Sequence, residues 1–339
     1  MKRIFFLLFL FGSVQIQAQS NINELLAAGL ADAERFTDSY LFPVSEGAIH
    51  NISNGWYNSG ESKPLGGFEI SIVGNYSPYE NKEDKKTFTL DTADYENLQF
   101  DDGSPSKVVS SALGDLEGII VYVEGEPIPG TTVRENFELP TGLASEDINF
   151  IPSAFVQVGI GLVHGTEIKA RFFPKINAEG GSYGLYGVGL QHEFTHHLSA
   201  LAQKAFPVRI SAVIGYTRLD ATYDFTETSI IAGSDQKIDV DMNSWVFQAV
   251  ASTKLPVINF YAGIGYMTGK SQTDILGTYT VQSGPFQQTY TDPFSLNHKA
   301  SGIRANLGAK LKLGFFRLNF DYTIAEFNTL TAGINFGMK

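Results

Sequence analysis

Apolar and polar residues alternate along many short stretches of this chain, each about ten residues long. Over Ala154–Val163, Val156, Val158, Ile160 and Leu162 share one face, and Gln157, Gly159 and Gly161 share the other. A period of two marks a β-strand with unlike faces. Ile168, Ala170 and Phe172 oppose Glu167, Lys169 and Arg171, and Ile210, Ala212, Ile214 and Tyr216 oppose Arg209, Ser211 and Gly215. The pattern is cleanest toward the end. Ile303, Ala305, Leu307 and Leu311 face away from Arg304, Asn306, Gly308 and Lys310, and Phe316, Leu318, Phe320 and Tyr322 from Arg317, Asn319 and Asp321. After the first 20 residues no stretch is apolar enough to cross a bilayer as a helix. A tilted strand of about ten residues, by contrast, does span the hydrocarbon layer. Closing such strands into a barrel satisfies every backbone N–H and C=O.

The expected fold is therefore all-β: a transmembrane antiparallel β-barrel of about 12–14 strands with a short N-terminal helical segment. Nine crossings after Ala154 and one at Gly66–Asn75 make ten, and further hairpins are sought within 76–150 and 267–300. His164-Gly165, Thr253–Pro256 and Lys312–Phe315 read as tight turns at one end, with Asp220–Val240 and Met267–Ala300 as long loops at the other. A water-soluble sandwich alternates too, with its apolar faces turned inward. The shortage of other core elements weighs against it. Ile22–Tyr40 has helical spacing and Pro43 is expected to end it, giving either a lumen plug or an arm at the barrel's foot.

Met1–Ser20 has the build of a secretory signal: Lys2 and Arg3, the apolar run Ile4–Val14, then Ile16-Gln17-Ala18 as a cleavage site. The expected organisation is a signal peptide at 1–18, a helical or plug segment at 19–65 and a barrel at 66–339, exported to the cell outer membrane. The formal charge of −12 argues against nucleic-acid partners, which demand a basic surface. With no cysteine there is no disulfide framework, thiolate metal site or lipoprotein anchor. Aromatic residues make up 13% of the chain, which suits the girdles of a barrel.

Three constellations bear on chemistry. His192-Glu193-Phe194-Thr195-His196 matches H-E-x-x-H; on a helix, His192 and His196 would bind zinc with Glu193 as general base. Tyr186, Val188 and Leu190 alternate with glycines just before it, so a strand is expected to run into the motif, and no catalytic residue, metal or cofactor is assigned. Gly-x-Gly pairs recur at Gly159/Gly161, Gly187/Gly189 and Gly263/Gly265, giving room inside a barrel for a plug or ligand, or for close backbone packing. The polar face carries Glu167, Lys169, Arg171, Arg209, Arg304, Lys310, Arg317 and Asp321 as lumen-facing candidates. The last four, on neighbouring strands, are expected to pair with one another.

Gly55-Trp56-Tyr57-Asn58, Gly66-Gly67-Phe68-Glu69 and Gly187-Val188-Gly189-Leu190-Gln191-His192 resemble a little-characterised outer-membrane barrel family of Bacteroidota. More distantly the layout resembles the FadL-type long-chain fatty acid transporters, in which an N-terminal helical segment plugs a barrel. The first of these resemblances implies that His192 lies on a strand of the family's barrel. The chain departs from the transporters in lacking their N-terminal Asn-Pro-Ala signature. The functional expectation is passive uptake or binding of a small solute, hydrophobic ones included, by a protein whose standing partner is outer-membrane lipid. The alternatives are a non-transport surface scaffold or adhesin, and a secreted zinc hydrolase.

Overall fold

In the computed structural model, which describes residues 24–178, 181–224, 231–282 and 284–338, ten antiparallel strands close into a barrel. They are β1 (Phe68–Pro78), β2 (Phe150–Gly161), β3 (Thr166–Ala178), β4 (Gly181–Glu193) and β5 (Val208–Asp224), followed by β6 (Ile231–Thr253), β7 (Ile258–Val281), β8 (Phe294–Leu313), β9 (Phe316–Ile324) and β10 (Thr329–Met338). Each pairs with its neighbours in sequence, and β1 closes the ring on β10, from Phe68 opposite Met338 to Tyr76 opposite Leu330. Among the described residues every wall strand is paired on both sides over part of its length, so the ring closes and the liability of an open sheet is confined to the strand ends that rise above it, such as Phe294 to Arg304 of β8. The proposed signal segment lies outside the described residues.

The barrel expected from the alternation is present, but its strand number is ten rather than 12–14. The extra strand candidates between 76 and 150 do not join the wall. Thr87–Asp91 pairs with Ser106–Ser110, and Gln99–Phe100, Ile120–Ile128 and Thr131–Glu138 form a second small sheet. Their apolar side chains, among them Leu90, Phe100, Val109, Val121 and Phe137, turn into one shared core. A segment with its own core has no reason to enter the wall. Much of the stretches expected as long loops is strand as well: residues 220–224, 231–240, 267–281 and 294–300, while residues 225–230 and 283 lie outside the described residues. β7 runs on to Val281 and β8 begins at Phe294, so the wall rises far past the length a bilayer needs. The 24 residues of β7 extend roughly 80 Å along the strand.

The helix α1 spans Leu30–Ile52 and carries Pro43 in its interior, contrary to the expected stop. Proline removes one ladder hydrogen bond. Here burial at both ends of the helix outweighs that loss. Phe36 and Tyr40 sit in the core of the small sheets, and Ile49 and Ile52 sit in a second core inside the barrel. Gly47 permits the close passage: a Cβ there would meet Phe327 at 2.9 Å and Ile151 closer still. Asp32, also buried, accepts hydrogen bonds from the backbone N–H groups of Glu96, Asn97 and Leu98 at 2.8–3.0 Å. The helix is thus sewn into a cap over the long-strand end. No helix among the described residues is long and apolar enough to cross a membrane.

Candidate functional site: the filled lumen

The segment after α1 runs down the middle of the barrel to the tight-turn end, where β1 starts. Residues 53–65 have no periodicity of their own, and their backbone polar groups need partners from the wall. The inward face of the strands supplies them. Near the helix end, Arg304 donates to the Ser53 carbonyl at 3.2 Å and also to Ser53 Oγ and Asn54 Oδ1. Arg171 donates to the Ile52 carbonyl at 3.1 Å and to Thr217 and Gln157. Its guanidinium lies 3.5 Å from the centre of the Trp56 ring and 4.1 Å from that of Phe155. Stacking of this kind suits a weakly hydrated planar cation.

Gly189 and Gly263 of the Gly-x-Gly pairs, together with Gly215 outside them, meet the plug. A Cβ on Gly189 would sit 2.6 Å from the Trp56 ring, and one on Gly215 would be closer. Gly263 opens the space taken by the Tyr57 hydroxyl, which donates to Asn306 Oδ1 at 2.5 Å and accepts from Gln248 at 2.9 Å. Of the two uses expected for such glycines, these positions serve the plug.

Below this level the contacts become ionic. Glu69 receives Lys310 at 2.9 Å, Arg317 at 2.6 Å and Lys63 at 3.8 Å, with Asn58 donating at 2.9 Å. Glu167 pairs with Lys63 at 2.7 Å and Lys169 at 3.5 Å, and Lys169 also donates to the Trp56 carbonyl. Glu193 binds Arg209 at 3.0 Å and accepts from the Ser62 backbone at 2.8 Å. Glu167, Lys169, Arg171, Arg304, Lys310, Arg317 and Asp321 are therefore all buried on the inward face, while Arg209 is partly exposed at the tight-turn end. The expected mutual pairing of Arg304, Lys310, Arg317 and Asp321 does not form. Arg304 goes to the plug, Lys310 and Arg317 converge on Glu69, and Asp321 accepts from Tyr261 at 2.7 Å. Lys63 escaped the sequence reading, and Trp56, Asn58 and Glu69 entered it only in the motifs that carry the family resemblance, with no partner assigned. The available signal was the excess of cations on the inward face, which requires carboxylates from elsewhere.

The H-E-x-x-H motif does not form the helix that a zinc site of that kind needs. His192 and Glu193 end β4 on opposite faces, and Phe194–His197 is a single 3-10 turn. Glu193 points inward to Arg209 and Ser62, while His192 takes Thr166 and His197 as ring partners at 3.0 and 3.1 Å. Among the described residues no three metal-ligating side chains are grouped to hold an ion.

A family model matches residues 1–338 of the chain. The chain belongs to the family of unknown function DUF6588. No curated protein matches this family member in sequence. Among solved structures it is similar to Ail, the attachment invasion locus protein of Yersinia pestis, at 10% identity and a TM-score of 0.28, over 81% of this chain and 99% of that one. It is also similar to the outer membrane protease OmpT of Escherichia coli at 7% identity and a TM-score of 0.29, over 80% and 97% of the two chains. A third is the Ralstonia pickettii toluene transporter TbuX, at 6% identity and a TM-score of 0.25, over 82% and 90%. Likeness at this level transfers no property from those proteins to the DUF6588 chain.

The cap anchors the upper end of the plug, and one of its carboxyls ties that anchorage to pH. Burial, with Glu135 and Glu138 nearby, pushes Glu24 up to about 7 from its ordinary 4.5. The folded form thus binds this proton more tightly than the unfolded form. Its stabilising contribution is complete below about pH 4.5 and is lost as pH rises through about 7. Amide-exchange protection factors over residues 24–30, with the intrinsic pH dependence of exchange divided out, are expected to be higher at pH 5 than at pH 8. Glu24→Gln should remove most of that difference, and an unchanged difference would refute the assignment.

Proposed function

We propose that this protein resides in the outer membrane as a self-plugged barrel that binds or displays through its ends rather than conducting through an open bore. One observation carries the membrane placement: burial runs opposite to that of a soluble sheet protein. On β8, Ile303 and Leu307 are 75% and 68% exposed while Arg304 and Asn306 are 4% and 8% exposed. An apolar exterior of this extent needs lipid against it. Tyr76, Tyr186, Trp245, Tyr266 and Tyr322 ring the outer wall toward the long-strand end, and Phe260, Phe315 and Phe336 ring it near the tight turns. Eight residues separate Ile258 from Tyr266 on β7, or roughly 20 Å of height once tilt is counted. That matches the apolar band of such barrels. The tight turns then face the periplasm and the cap faces outward.

The discriminating experiment is Leu307→Arg. An exposed leucine replaced on a soluble protein changes stability by no more than about 0.5 kcal/mol. On a lipid-facing strand near mid-height the same change costs about 2–4 kcal/mol. Urea unfolding in lipid vesicles is expected to show the larger loss, together with heat-modifiable migration of the wild-type barrel on gels. A neutral variant would refute the placement.

Passive uptake is the second reading. The plug's contacts are largely polar, so water can replace them, and a cavity of 430 Å³ already opens beside residues 58–63 at the tight-turn end. Passage along that route requires residues 53–65 to withdraw. A small or hydrophobic solute remains the expected cargo under this reading.

A further inference from the structure

The cavity at the tight-turn end has an unusual lining for a protein of net charge −12. Lys63, Arg209, Lys254, Lys310, Lys312 and Arg317 surround it, and the carboxylates among its lining residues are Glu61 and Glu69. The ion pairs behind the lining do not redress the balance. Glu69 alone serves Lys63, Lys310 and Arg317; Glu167 is shared between Lys63 and Lys169; Glu193 serves Arg209; and Glu61 lies 3.7 Å from Lys312. Seven cations thus face four carboxylates in this part of the described structure. Lys254 sits at the mouth and donates to the carbonyls of Gln203 and Phe206, which fixes its ammonium at the rim. Lys312, half-buried, lines the same cavity. Concentrated positive charge in a concave, partly dry site focuses its field on whatever enters.

We propose that this vestibule is a binding site for a small free polyanion carrying at least two phosphate or carboxylate charges. Each anionic group would take charge-assisted hydrogen bonds from the rim lysines and from the guanidinium groups below. The floor of the vestibule is the plug itself, at Asn58, Ser59 and Ser62. An anion held there would bear on the segment that fills the lumen. A lipid headgroup offers the same phosphate chemistry, but it lies outside the ring of strands whereas the cavity lies within it. The inference depends on the plugged barrel and holds irrespective of the membrane in which the barrel resides.

The test is calorimetric titration of the full chain in zwitterionic detergent with inorganic pyrophosphate, with acetate as a monoanion control. Saturable binding of pyrophosphate is expected, with no saturable binding of acetate and a steep loss of affinity as salt is raised. Lys254→Gln/Lys312→Gln should weaken pyrophosphate binding by about tenfold or more. Lys270→Gln/Lys299→Gln, which removes an exposed cross-strand lysine pair outside the cavity lining, should leave it unchanged. Should the glutamine pair disturb folding, as read from heat-modifiable migration, the charge-preserving Lys254→Arg/Lys312→Arg variant must retain binding. No saturable binding to the wild type, equal loss in both lysine-pair variants, or tighter binding of dihexanoyl phosphatidate than of pyrophosphate would overturn the proposal. Leu307→Arg reports on membrane placement separately, so failure of one reading is not mistaken for failure of the other.

Discussion

Glu69→Ala is expected to destabilise the folded barrel by about 3–5 kcal/mol, the range measured when one partner of a buried ion pair is removed. Glu69 is the first inward residue of β1 and is buried at the point where plug and wall meet. Lys310 and Arg317 reach it from β8 and β9, Lys63 reaches it from the plug, and Asn58 donates a further hydrogen bond. Removing the carboxylate leaves cations inside the barrel with no full counter-charge, and their desolvation is then uncompensated. The same loss loosens the ties of β1 to β8 and β9, next to the seam where β1 pairs with β10. Urea unfolding followed by tryptophan fluorescence measures the effect. Glu69→Gln should recover the Asn58 contact but little of the stability, because an amide carries no charge. A loss below about 1 kcal/mol in both variants would mean that Glu69 is a rim charge rather than the centre of the network.

The outward face of the barrel was legible because a period of two survives wherever one side of a strand must be apolar. Val156 to Leu162, Ile303 to Leu311 and Phe316 to Tyr322 all lie on that face. Strand number was less legible, since the short alternating segments near Thr87–Asp91 and Ile120–Ile128 satisfy the same rule with their apolar side in a small soluble-like core. Pro43 misled for a different reason: a local rule about one lost hydrogen bond was overruled by burial that involves residues far away in sequence. The inward polar residues were found, but their partners were not. The pairing of Lys310 with Glu69 spans 241 positions, and nothing in either local pattern announces it. The plug segment was the least legible part. Trp56 and Asn58 lie in irregular chain without periodicity; Glu69, Lys310 and Asn335 position Asn58, while Trp56 is positioned by the glycine-lined hollow on β4 and β5.

That hollow yields a prediction in the form of a cycle. Trp56→Ala is expected to cost about 3–5 kcal/mol, the range for deleting a large aromatic side chain from a packed interior. The ring is 1% exposed, packed between the Arg171 guanidinium and the bare backbones of Gly189 and Gly215. Gly215→Val, made alone, drives a side chain into the space the ring occupies and is expected to cost about 1–3 kcal/mol or more. In the double variant the valine enters a space the indole has vacated. The second substitution should then cost much less than it does alone, with an interaction energy of about 0.5–3 kcal/mol measured by urea unfolding. Additive losses would mean that Gly215 is required for strand curvature and not for the ring. The cycle also bears on passage through the lumen. With Gly215→Val alone the ring loses its seat, and residues 53–65 lose the anchor that joins the Arg171 level to the ionic level below. Planar-bilayer recordings should then show an ion current that the wild type lacks, whereas Trp56→Ala/Gly215→Val, with the plug free to settle back, should conduct less than Gly215→Val alone. A Gly215→Val barrel as silent as the wild type would show that the indole does not hold the plug in place.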